Sequence, residues 1–212
     1  MLELGKVLII GDSYSTFENC IPNGNAFWYY DGVDNNRTDV IKKEQTWWWQ
    51  LLQETSSSLV LNESFSGATV CNTERPEIPH TSFVYRLQNL CKRGFFKETK
   101  VDTVFVFGGT NDAWINSPLG AEEYEDFSEE NLKSVFPAFS YLIKTLKETA
   151  PTAKIIPILN CDINPQIIDN FEKICNRYEV NCIRLESISK QSGHPNCAGM
   201  TQIKDQIIKA LS

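Results

Sequence analysis

The sequence has no long apolar run. Nowhere among its 212 residues do about eighteen apolar positions follow one another, as a membrane-spanning helix requires. Histidine is scarce, with two in all, and no two of the seven cysteines stand two or three residues apart. The close ligand pair of a zinc site is therefore missing. The cysteines are odd in number and fall in apolar or helical stretches. They read as reduced thiols filling the core, which points to a reducing compartment. With no leader segment before the first apolar run, the expectation is a cytoplasmic protein. Basic residues are in deficit, 20 Lys and Arg against 27 Asp and Glu, for a net charge of −7. Such a chain repels phosphate backbones and anionic lipid, so neither nucleic acid nor a membrane is the expected partner. Repeats, low-complexity tracts and linkers are also missing, and the length fits one domain over residues 1–212. A chain of this size buries roughly 70% of its unfolded surface, enough to hold a core without disulfide or metal.

Five short apolar runs are present. They are Lys6–Ile10, Ser58–Asn62, Thr103–Phe107, Lys154–Leu159 and Asn181–Leu185. Each is nearly continuous rather than alternating, the pattern of parallel strands covered on both faces. Pro157 counts against the fourth, because proline cannot donate to a ladder. Helical spacing appears over Gln45–Glu54, Thr81–Lys92, Ala121–Thr149 with a candidate break at Pro137, Pro165–Tyr178 and Ala198–Leu211. The acidic run Glu122–Asp126 reads as the solvated start of the third of these, where negative charge suits the helix dipole. Trp47, Trp48 and Trp49 read as part of a packed helix. The alternation predicts an α/β fold of three layers, helices on both faces of a parallel sheet, with right-handed crossovers. About thirty residues, Tyr14 to Glu44, do not fit it. They carry Phe17, Phe27, Trp28, Tyr29 and Tyr30, and they follow the first strand directly. Loops this long in a compact domain are usually functional or disordered, and the aromatics argue against disorder.

Ligands of open α/β sheets bind at the carboxyl ends of the strands. There the sequence places Gly11-Asp12-Ser13, the segment Asn62-Glu63-Ser64-Phe65-Ser66-Gly67, and Gly108-Gly109-Thr110-Asn111-Asp112. A fourth cluster, Gly193-His194-Pro195, stands before the last helix. Acyl transfer needs a nucleophile, a base and donors for the developing oxyanion. Ser13 and His194 supply the first two. The N–H groups of Ser13 and Gly67 and the Asn111 amide supply the third, and Gly67 has no side chain in the way. Asp12 reads as a brace of the turn or a second polar group in the site. Trp28, Tyr29 and Trp114 are candidates for lining a substrate pocket. His80 reads as a surface residue.

The four segments, in this order and across the whole chain, resemble the sequence blocks of the SGNH, or GDSL-type, hydrolases. Asn62–Gly67 is similar to an Asn-x-Gly-x-x-Gly block with Ser64 at its middle glycine. Gly109–Asp112 matches Gly-x-Asn-Asp, and His194-Pro195 looks like the end of an Asp-x-x-His-Pro block. The resemblance implies a flavodoxin-like sandwich with a five-stranded parallel sheet ordered 2-1-3-4-5. It also implies hydrolysis of small-molecule or carbohydrate esters without cofactor or metal.

One departure matters. Where the family carries its acid, three residues before the histidine, stands Gln191, and the nearest upstream carboxylate is Glu186. The expectation is a Ser13–His194 dyad, with the imidazole oriented by a main-chain carbonyl near Gln191 or by that side chain's amide oxygen. Glu186 is the candidate for completing a triad instead. An esterase of small acyl esters, including O-acetyl groups on carbohydrate, is the first reading. A catalytically degenerate ligand-binding module on the same fold is the second, resting on Gln191. A flavin binder is the third, resting on the hydroxyl-rich run Ser13–Thr16.

Overall fold

A computed structural model of the chain describes residues 2–32, 37–73, 75, 77, 78 and 80–212. Five parallel strands form the main sheet: β1 (Lys6–Gly11), β2 (Ser58–Ser64), β3 (Thr103–Gly108), β4 (Lys154–Leu159) and β5 (Ile183–Arg184). Their order is β2-β1-β3-β4-β5. The helices are α1 (Trp47–Glu54), α2 (Phe83–Lys92), α3 (Phe95–Glu98), α4 (Thr110–Trp114), α5 (Val135–Thr149), α6 (Pro165–Arg177) and α7 (Cys197–Leu211). A separate antiparallel hairpin pairs β6 (Lys190–Gln191) with β7 (His194–Pro195).

The period-two geometry of a strand sorts the core into two faces. Leu8, Ile10, Val104 and Val106 point to one side, where they pack with residues of α2, α5 and α6. Val7, Ile9, Phe105 and Phe107 point to the other, toward Trp47, Trp48 and Leu51 of α1 and Met200, Ile203 and Ile207 of α7. Both faces are therefore apolar, which is why the strands read as unbroken runs. Pro157 is accommodated because β5 reaches β4 only at Ile158 and Leu159. β5 itself is shorter than the run Asn181–Leu185.

The stretch Ala121–Thr149 is not one helix. α5 starts at Val135 and places Pro137 in its first turn, where a missing N–H costs nothing. Residues 121–130 are irregular, with Gly120 and Asp126 at positive φ. The acidic run is thus no helix start. Glu122 and Glu125 instead pair with Lys173 of α6 and Lys144 of α5. The long segment after β1 is built into the protein where it is described. Phe17, Tyr29 and Val40 are buried in the core with α1 and α7. Residues 33–36 of that segment lie outside the described residues.

Candidate active site

β1 ends at Gly11, and the chain turns at once into a short 3-10 segment, Ser13–Ser15. The Asp12 carboxylate caps it by accepting the Tyr14 N–H at 3.0 Å. Gly11 is required here: a Cβ would stand 2.6 Å from the Ser64 hydroxyl. Beneath the turn, the guanidinium of Arg86 on α2 donates to the carbonyls of Gly11, at 3.0 Å, and of Glu63. It ties the ends of β1 and β2 together.

Ser13 and His194 meet. The Ser13 Oγ lies 3.0 Å from His194 Nε2, and the two residues are 2% and 4% exposed. The other ring nitrogen, Nδ1, lies 3.1 Å from the main-chain carbonyl of Ser192. A carbonyl only accepts, so Nδ1 carries the proton and Nε2 is left as the acceptor for the Ser13 hydroxyl. Neither candidate side chain orients the ring. Gln191 is exposed on β6, and Glu186 is exposed near α7, where its N–H donates to Gln206. The cause is the hairpin. Ser192 and Gly193 both take positive φ, 52° and 76°, as the two central residues of a primed turn do. That turn folds the Ser192 carbonyl back onto the imidazole. The hairpin is held in turn by the Tyr14 hydroxyl, which donates to Gly193 O, and the Tyr29 hydroxyl, which donates to Pro195 O, both at 2.8 Å.

The second and third segments converge on the same place. Gly67 has φ 86°, and neither its N–H nor that of Ser13 is given to a protein acceptor among the described residues. The Asn111 amide, on α4, donates to Ala68 O at 2.9 Å. Asn62 donates to Ser15 O and accepts from Ser64, so it braces the turn at Ser13–Ser15. Asp112 likewise braces, accepting the N–H groups of Val70 and Cys71.

The aromatic candidates separate. Tyr29 is 0% exposed and works on the hairpin, so it lines no pocket. Asp12 is equally buried and serves the turn. Trp28 lies face to face with His194, centroids 3.6 Å apart and planes 8° apart. Trp114 is 49% exposed and stands edge-on to the imidazole at 5.6 Å. Phe27, next to Trp28, is also exposed. His80 is exposed and stacks on Tyr85.

Burial sets the local titration. The His194 imidazole is pushed down to about 4, first by loss of water and then by Lys190 and Arg37, against the pull of the Ser192 carbonyl. Burial pushes the Asp12 carboxyl up to about 7, with neighbouring Asp112 adding to it. Burial also lowers the Arg86 guanidinium to about 10. No group of three or more His, Cys, Asp or Glu able to hold a metal ion occurs among the described residues. A cavity of about 280 Å³ beside Pro151, Lys154 and Leu211 opens at the amino ends of the strands, remote from this constellation.

The expected main-chain carbonyl near Gln191 is that of Ser192, whereas sequence reasoning missed Tyr14 and Arg86. Ser192-Gly193 before a histidine was a readable primed-turn signal. Arg86 announced itself as a lone charge at helical spacing on the apolar face of Phe83, Leu87 and Leu90.

A family model described as GDSL-like lipase/acylhydrolase matches residues 5–211. The fold is similar to the crystal structure described as a GDSL-like lipase from Bacteroides ovatus, at 38% identity and TM-score 0.87, covering 98% of both chains. One of the same description from Bacteroides uniformis matches at 39% identity and TM-score 0.88, over 98% of this chain and 95% of that one. At the level of fold alone, an acetyl xylan esterase from Butyrivibrio proteoclasticus matches at 17% identity and TM-score 0.57, over 100% of this chain and 64% of that one. No curated protein matches the sequence. A family model spanning residues 5–211, with two solved relatives at 38% and 39% identity over 98% of the chain, places the chain in the GDSL-like lipase/acylhydrolase family.

Proposed function

We propose that the chain is a serine esterase that removes small acyl groups, acetyl esters of carbohydrate foremost, through an acyl-enzyme on Ser13. The observation that carries this reading is the 3.0 Å contact of Ser13 Oγ with His194 Nε2, while Nδ1 faces the Ser192 carbonyl at 3.1 Å. Ser13 Oγ attacks the acyl carbonyl while His194 Nε2 takes its proton. Charge gathers on the carbonyl oxygen, which the Ser13 and Gly67 N–H groups and the Asn111 amide receive. The imidazolium is held at Nδ1 by the Ser192 carbonyl and returns the proton to the leaving alkoxide. Water, activated by the same nitrogen, then attacks the acyl-enzyme and releases the acid.

Two features favour a small acyl group on a broad alcohol. Ser13 is only 2% exposed, which suits a short acyl group better than a long one. Outside, exposed Trp114 and Phe27 offer flat aromatic faces that suit a sugar ring. The acetyl xylan esterase that shares the fold is consistent with that class. The test is labelling by a fluorophosphonate probe, run with turnover of p-nitrophenyl esters of rising length and of acetylated sugars. Labelling that vanishes in Ser13→Ala, with acetyl esters turned over fastest, is expected. An unlabelled Ser13 with no turnover would overturn the reading.

A further inference from the structure

We propose that Trp28 is a positioning residue of the Ser13–His194 pair, its indole holding the imidazole plane in a site where, among the described residues, a main-chain carbonyl rather than a carboxylate meets Nδ1. The inference rests on the serine-esterase reading above. A single neutral carbonyl is a weak tether for a catalytic ring. It accepts over a broad range of directions and lacks the charge that strengthens a bond to a carboxylate. With only Ser192 O at 3.1 Å, the imidazole can rock about that contact, and Nε2 can swing away from Ser13.

Four aromatic rings surround His194, but only one lies parallel to it. Tyr14, Tyr29 and Trp114 stand tilted or edge-on at 5.4, 6.5 and 5.6 Å, with interplanar angles of 57°, 81° and 70°. Trp28 is stacked at 3.6 Å and 8°. Rocking of the imidazole out of its plane is therefore opposed by the indole face.

The indole is itself fixed relative to the nucleophile. The Trp28 N–H donates to Thr16 Oγ1 at 2.9 Å, and that hydroxyl donates to the carbonyl of Ser13 at 3.0 Å. Two hydrogen bonds thus run from the clamp to the residue whose hydroxyl His194 must reach. The next residue, Tyr29, bonds the carbonyl of Pro195. One short segment holds both the ring and the backbone of the base. No hydrogen bond of the indole competes with this placement, since its Nε1 is buried without a partner among the described residues. The ring is not an open sugar platform either. His194 stacks on it, and the guanidinium of Arg37 lies 5.0 Å from its centroid.

The stack also keeps water from the imidazole. The charged and titratable groups facing His194 are Lys190 on β6, Arg37 on the long loop, and the Tyr14 and Tyr29 phenols. The two cations oppose protonation of the ring, as burial does.

The experiment measures kcat and KM for p-nitrophenyl acetate against pH in the wild type, Trp28→Leu and Trp28→Phe, with the His194 imidazole titrated by NMR. In Trp28→Leu, kcat should fall by about ten- to a hundredfold with KM within about threefold, the cost of a misplaced reacting group. The acid limb of its profile should move from about 4 toward the ordinary 6.5. Trp28→Phe keeps a flat ring and should recover most of kcat. A Trp28→Leu protein with kcat and acid limb unchanged would overturn the clamp. So would a rise in KM alone, which marks a substrate contact. If Trp28→Leu does not fold, the wild-type titration decides, because a His194 titrating near 6.5 is not shielded by the indole. Fluorophosphonate labelling of wild-type Ser13 separates the two readings. Labelling with an indifferent Trp28 sinks the clamp alone, and no labelling sinks the esterase.

Discussion

Asp12 and His194 are buried ionisable groups pushed in opposite directions. Unfolded, His194 takes up its proton near 6.5, whereas the folded chain resists until about 4. Between those values the unfolded chain binds more protons, so this group makes stability rise with pH. Asp12 does the reverse. Its folded carboxyl keeps a proton up to about 7, against 3.8 when free, so it makes stability fall as pH rises through that window. The two effects overlap and partly offset. Asp12→Asn isolates the second, because the amide oxygen can still cap Tyr14. The melting temperature of the variant relative to wild type should rise steadily from pH 4 to pH 8. A difference that stays flat with pH would show that Asp12 is ionised throughout. At this scale, candidates with a side-chain group were readable: Ser13 and Asn111 follow β1 and β3, and the fold brings Ser13 to His194 in the hairpin. A main-chain carbonyl near Gln191 was legible as the partner of the imidazole, but not which one, because every residue has a carbonyl and only the turn gives that of Ser192 its direction. Trp28 and Tyr29 could be tied to the site by position, but not assigned to the base rather than the substrate.

Elements meet at one unusually tight point behind the hairpin. Gly199, in the first turn of α7, faces the carbonyl of Ser189 so closely that a Cβ would stand 2.0 Å from it. Asn196 caps α7 through the Gly199 N–H and also bonds the Ser189 hydroxyl, so the helix start and the base of the hairpin are one unit. Intrinsic propensity says Gly199→Ala should stabilise the helix by about 1 kcal/mol. The contact says otherwise: a methyl group meeting a main-chain carbonyl costs about 1–3 kcal/mol, as overpacking does. Chemical denaturation should show net loss, with kcat falling as the hairpin and His194 shift. A more stable, fully active Gly199→Ala would refute this. Periodicity located the helices well, since each buries one stripe. It overextended the third across Ala121–Ser134, where apolar spacing continues but Gly120 and Pro137 set where α5 can begin. The hairpin escaped notice because strands of two residues carry no periodic signal.

Across the molecule, the layer of α5 and α6 supports the site from behind. Phe171 of α6 stacks on Phe139 of α5 at 3.7 Å, and its ring edge would lie 3.1 Å from a Cβ at Gly109. Gly109, at φ 97°, opens the turn that delivers Asn111. Phe171→Ala should cost about 3–5 kcal/mol in urea unfolding, typical of an excavated aromatic. It should also slow acyl transfer, because the Asn111 turn loses its floor. A variant that loses stability but keeps full kcat would show the two layers to be independent. The global arrangement was the most legible part of the chain. Five apolar runs with helical stretches between them permit few topologies, and the order 2-1-3-4-5 followed from the resemblance of the four polar segments. What the runs do not encode is how the segment after β1 crosses the sheet ends. That depends on pairings such as Asn25 with Ser64 and Cys197 with Asp39, which are distant in sequence.

The turn at Ser192-Gly193 gives this protein an unusual kind of robustness. A triad acid is a single codon away from loss, whereas a main-chain oxygen survives any replacement that tolerates φ near 52°. In the esterase reading, an alanine scan of the four polar segments should lose activity at Ser13 and His194, while Ser192→Ala, which keeps the carbonyl, should be tolerated. Comparative surveys that require an acid three positions before the histidine would pass over chains built this way.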